Sequence, residues 1–175
     1  MDLKRVPLAA LVLGSLGLIP FYLTALGVVL LDDPAQASFL LLIQLVYAAV
    51  IASFLGAVHW GLAMANLGWE NQRRPDPARI NDGGDGTPRV EPATRQMLAS
   101  VGPALAGWSL LILFHLFRLG WLELIGFIAL FWMIYNGDRR AVRFGLAPDW
   151  YLDLRLALTV LVSIPLLMSL LRLLA

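Results

Sequence analysis

The chain has 175 residues, of which 59% are hydrophobic and 14% charged, with a net charge of +1 and no cysteine. A soluble domain carries about 25% charged residues and less than half apolar ones, so this composition points to a bilayer as solvent. The lack of cysteine excludes disulfides, thiolate metal sites and thioether haem attachment. The near-zero charge gives no bulk electrostatic basis for a nucleic-acid partner.

Lys4 and Arg5 make a basic start, and Val6 to Leu31 follows without a charge. That run exceeds the ~7–15 residues of a signal-peptide core, and no small-x-small cleavage site follows it. It reads as a retained transmembrane helix over 7–30, kinked at Pro20. "LDDPAQA" (31–37) is expected to be a short acidic turn before a second span over 38–66. Residues 68–96, rich in Pro, Gly, Asp and Arg, have no apolar periodicity and read as a mobile cytoplasmic loop. Within it "DGGDG" lacks the alternating ligands and closing Glu of a calcium loop, so no metal is expected. A third span over 97–117 carries Pro103 in its first turns, where a missing donor costs little. "FRLG" (117–120) makes a hairpin, and a fourth span over 120–136 is the shortest and contains Glu123. "GDRRAVRFGLAPDW" (137–150) is a basic connection with room for one interfacial turn. A fifth span over 151–173 carries Pro165, which is expected to kink it. The whole of 1–175 therefore reads as a single all-α transmembrane domain, a bundle of five helices long enough, or nearly so for the fourth, to cross about 30 Å of hydrocarbon at ~1.5 Å per residue.

Five spans put the N-terminus, the 68–96 loop and the 137–150 connection on one side. That side, counting Arg155, holds eleven of the thirteen Lys and Arg; Arg118 and Arg172 are the other two. The asymmetry predicts an N-in, C-out topology. An odd number of spans with no internal repeat lowers the weight of a small transporter or channel, because many transporters are built from paired halves.

The second span carries a distinct stripe. At about 100° per residue, Gln44, Ala48, Leu55, His59 and Asn66 fall within about 60° of one another, flanked by Ala52 and Ala63. Ala48, Ala52 and Gly56 are spaced for close helix packing, as are Ala57 and Gly61, with Gln, Asn or His bonding across the contact. The alternative is a ligand pocket, in which His59 relays a proton or bonds a quinone carbonyl. Bis-histidine haem ligation fails on geometry: His59 belongs to the inner half of its span and His115 to the outer end of the next, ~20 Å apart by helical rise. His115, Arg118 and Glu123 gather at the outer hairpin, where Glu123 snorkels or pairs with either neighbour.

At the inner interface stand His59, Trp60, Asn136, Asp138, Trp150, Tyr151 and Arg155. Trp150 and Tyr151 suit an aromatic belt, and Arg139, Arg140 and Arg143 suit positive-inside anchoring on anionic lipid. Asp138 and Arg155 carry opposite charges at one depth on different helices, so they are expected to pair, with His59 as a third member.

Two phrases, "YAAVIASFLGAVHWGLAM" (47–64) and "PDWYLDLRLALTVLVS" (148–163), resemble the signatures of a domain-of-unknown-function family of small integral membrane proteins. That family is widespread in proteobacteria, and a mitochondrial transmembrane protein is similar to it. His59–Trp60–Gly61 anchors the first phrase; Trp150, Tyr151, Arg155 and Thr159 anchor the second. The 68–96 loop is longer and more polar than the resemblance implies, as an insertion would be. The resemblance implies a bacterial inner membrane and function centred on the two phrases; it carries no activity.

No paired carboxylates, Ser–His couple or phosphate cradle stands out, so no catalytic residue and no cofactor is expected. The first expectation is a non-enzymatic accessory or assembly factor of a bioenergetic membrane complex, working in the bilayer with a membrane-protein partner or as a homo-oligomer. The alternative is a quinone- or lipid-binding protein with an inner-leaflet pocket formed by His59, Trp60, Asp138, Trp150, Tyr151 and Arg155.

Overall fold

A computed structural model describes residues 6–73, 90–117 and 119–175, without the side chains of 66–73, 90–95, 114 and 115. Six helices follow in order: α1 (Leu8–Leu16), α2 (Ile19–Leu30), α3 (Pro34–Arg73), α4 (Val90–Phe117), α5 (Gly120–Arg143) and α6 (Asp149–Leu174). α1 and α2 together form one span, so five segments are long and apolar enough to cross a membrane.

The first span breaks rather than bends. Pro20 opens α2 and cannot donate to the carbonyl four residues back, so the helix stops at Leu16 and restarts at Ile19. At the break the Leu18 N–H tightens onto the Ser15 carbonyl, and the Tyr47 hydroxyl of α3 donates to the Gly17 carbonyl at 3.0 Å. Pro165 leaves α6 continuous. The carbonyl it cannot reach, Leu161 O, instead accepts the Tyr22 hydroxyl of α2 at 3.0 Å. Two tyrosines thus satisfy backbone oxygens beside two prolines, in a medium with no water to do so.

Three boundaries differ from the sequence reading. The acidic turn shrinks to 31–33, because Asp33 caps α3: its Oδ1 accepts the Ala35 N–H at 2.9 Å, and Pro34 takes the first helical position. α3 runs on to Arg73 and α4 starts at Val90, so both ends of the expected 68–96 loop are helical; 74–89, with the "DGGDG" stretch, lies outside the described residues. α5 continues past 136 to Arg143. Its last turns are amphipathic: Asp138 and Ala141 are buried while Arg139, Arg140 and Arg143 are exposed, and the arginines complement the helix C-terminus.

α3 packs on α2, α4 and α5, and α6 closes the bundle against α5 and α2, with α1 touching α6 lightly. Small residues set the closest approach. A Cβ at Gly56 would collide with the Ser100 backbone oxygen, and one at Gly107 would lie 3.2 Å from Ala49 Cα, so α3 and α4 meet nearly backbone to backbone. The core joins Phe21 of α2, Leu45, Ala48 and Ala52 of α3, Phe127 and Phe131 of α5, and Leu166 of α6. Phe21 meets Tyr47 and Phe131 edge to face at 5.0 and 6.1 Å. Outward, large apolar side chains stand bare along every helix, among them Leu30 (71% exposed) and Phe54 (64%). Gln44, Asp138 and Ser169 are wholly buried. An apolar exterior over a partly polar interior is the pattern that lipid selects.

Candidate functional site

α5 and α6 are joined by a tight turn. Gly145 adopts φ 69°; its N–H bonds the Val142 carbonyl and the Leu146 N–H bonds Ala141 O, both at 2.9 Å. This is a Schellman stop, with Gly at the one left-handed position and Pro148 capping the next helix. It folds the end of α5 against the start of α6 and so sets Asp138 facing Tyr151 and Arg155.

Asp138 is fully buried and is the hub of the site. Its Oδ2 accepts Arg155 Nε at 2.6 Å. Its Oδ1 lies 2.8 Å from His59 Nε2 and accepts the Tyr151 hydroxyl at 3.3 Å. An ionised carboxylate only accepts, so the His59 nitrogen facing it is the one that carries a proton. Three helices, α3, α5 and α6, are thereby tied at one carboxylate. Such a buried pair adds little net stability, but removing one partner strands the other charge at a cost of about 3–5 kcal/mol.

The other expected site residues fall differently. Trp150 is half-buried and stacks edge to face on Tyr151 at 6.2 Å, bracing the hydroxyl donor. Trp60 is 43% exposed and turns away from the clasp, as its ~100° offset from His59 requires. Asn136 is exposed and bonds back to the Trp132 carbonyl at 2.9 Å. Gln44, Ala48, Ala52 and Gly56 are all buried along α3; the Asn66 side chain lies outside the described residues. Gly61 is exposed, and a Cβ there would meet nothing within 4 Å. Glu123 does not snorkel: it is 1% exposed in the first turn of α5. The side chains of His115 and Arg118, its expected partners, lie outside the described residues. Among the described residues no three His, Asp or Glu converge as metal ligands.

A second polar knot lies ~22 Å along α3 from His59 by helical rise. Gln44 Nε2 donates to Phe21 O and Pro165 O at 3.4 Å each, and Ser169 donates to Gln44 Oε1 at 2.7 Å. It links α2, α3 and α6. Gln44 was visible as a polar residue in an apolar run; Ser169 carried no signal, since a serine in a span ordinarily bonds its own helix.

Five apolar spans, an apolar exterior and polar groups folded inward define a multi-pass helical membrane protein. Within that class, the chain belongs to the family described as "Protein of unknown function (DUF3429)", whose model matches residues 6–171. No curated protein and no solved structure matches the chain.

Proposed function

We propose that this protein is a non-enzymatic accessory or assembly factor of a larger bioenergetic complex in the bacterial inner membrane, oriented N-in and C-out. The Lys and Arg asymmetry supports the orientation, in which the Asp138 clasp lies toward the cytoplasm. One observation carries the partner role. His59, Asp138, Tyr151 and Arg155 are engaged with one another and lock three helices, while the neighbouring face of α3 bearing Ala57 and Gly61 is exposed, with no packed neighbour at Gly61 among the described residues. Small residues on an exposed helix face let a partner helix approach closely. Affinity isolation from membranes in mild detergent, followed by mass spectrometry, tests this. A stoichiometric membrane-protein partner is expected, lost in Gly61→Leu without a change in melting temperature. Repeated recovery of the bare chain would overturn it.

A second reading, binding of a quinone or lipid, is favoured by a different observation. Beside the clasp, Arg155 Nη2 and Thr159 Oγ1 are buried without hydrogen-bond partners among the described residues. Extraction of the purified protein tests it: a stoichiometric quinone or a selectively retained lipid is the expected result.

A further inference from the structure

Arg155 meets Asp138 through Nε alone. A side-on pairing would engage a second guanidinium nitrogen as well, but the other carboxylate oxygen is engaged by His59 and Tyr151. Nη2 is thus left buried and unpartnered among the described residues, on a side chain only 5% exposed. One helical turn further along α6, on the same face, Thr159 is 1% exposed and its hydroxyl is likewise unpartnered.

Thr159 stands apart from the other buried hydroxyls of the described residues. Thr24 bonds Pro20 O and Phe21 O, Ser100 bonds Met97 O, Ser163 bonds the carbonyl of Thr159 itself, and Ser169 bonds Gln44. A hydroxyl four residues into a helix ordinarily finds the carbonyl one turn back. Thr159 does not, although its neighbour in sequence register does.

Two polar groups one turn apart on one helix face, both removed from water, leave donor capacity that an oxygen acceptor would fill. The adjoining charges choose which kind. Asp138 and Arg155 cancel, so the donors offer hydrogen bonds without net positive charge, and a neutral oxygen fits better than a full anion. We propose that Arg155 and Thr159 form a recognition site for a carbonyl oxygen borne on an apolar body, that of a quinone ring or a lipid ester. This rests on the ligand-binding reading and assigns its donors.

The test uses the full chain in detergent, with thermal unfolding followed during titration by decylubiquinone, by a short-chain diacyl phosphatidylcholine, and by the dialkyl ether analogue that lacks the ester carbonyl. One carbonyl probe is expected to raise the melting temperature of the wild type, and the ether lipid is not. Quinone response alone identifies the ring; diacyl response alone identifies the ester. T159V is expected to weaken the apparent affinity about tenfold, the worth of one hydrogen bond, with T159S restoring it. The unliganded T159V protein is expected to melt no lower than the wild type, because an isosteric methyl replaces an unpartnered hydroxyl. Equal binding by wild type and T159V would overturn the assignment and leave the ligand reading standing. No response to either carbonyl probe would overturn both. Should T159V fail to fold, T159A and T159S in the same titration decide the matter.

Discussion

The two polar knots of this bundle solve one problem in opposite ways. At the Gln44 knot a neutral amide reaches across α2, α3 and α6, giving hydrogens to two backbone carbonyls and accepting one from Ser169. No group there carries a full charge. At the Asp138 clasp a carboxylate collects His59, Tyr151 and Arg155 from two neighbouring helices, and the pairing leaves donors over. Neutral amides in a membrane interior are held by modest bonds and lose little when cut, whereas buried charges bind each other into an arrangement that fails when one is removed. The Gln44 knot therefore reads as packing glue. The clasp combines a structural lock with hydrogen-bonding capacity left unfilled among the described residues, and a group buried in that state calls for an explanation.

The contrast breaks most readily at Asp138. Asp138→Asn is expected to destabilise the protein by about 3 kcal/mol, because the Arg155 guanidinium keeps its charge and loses its counter-ion. Unfolding in mixed micelles with rising SDS measures this, and a loss below about 1 kcal/mol would place the clasp on a par with the neutral knot. Gly145→Ala is next, at about 1 kcal/mol, from forcing a Cβ into the left-handed conformation at φ 69°. The same unfolding titration reads it; an unchanged midpoint would show that the turn does not hold α5 against α6.

Gln44→Leu should cost only about 0.6 kcal/mol, the typical worth of a side-chain bond between membrane helices. Combined with Asp138→Asn it should be additive within about 0.5 kcal/mol, since the knots share no partner. A large coupling energy in that double-mutant cycle would merge the two knots into one network. The smallest effect is expected from Tyr22→Phe, about 0.5 kcal/mol, because a single interhelical hydrogen bond is lost while the ring stays in place. A loss above about 1 kcal/mol would mean that the carbonyl beside Pro165 has no other recourse.

Much of the architecture was legible from hydropathy. The five spans and the buried register of Gln44, Ala48, Ala52 and Gly56 follow from long apolar runs and a 3.6-residue period. The juxtaposition of Asp138, Arg155 and His59 was also within reach, because span registry puts residues at comparable depth. The ends of the helices were less legible. The charges at 138–143 suggest a connection beyond a span over 120–136, whereas they mark the amphipathic last turns of α5; Asp33–Pro34 suggests a turn, whereas it is a cap followed by a proline at the first helical position. Both are local signals that apolarity alone overlooks.

The amino-acid order by itself determined that this chain lives in a bilayer, where it crosses, and which side chains are too polar to face lipid. Those are properties of segments, set by transfer free energy and helical period, and they need no neighbour. Only the tertiary structure decided how the polar groups share one another: that Asp138 meets Arg155 by one nitrogen, that Tyr151 joins while Trp60 turns out, that Ser169 answers Gln44, and that Thr159 has no partner among the described residues. Hydrogen bonds depend on ångström distances between helices far apart in sequence, and only the packed bundle sets those distances.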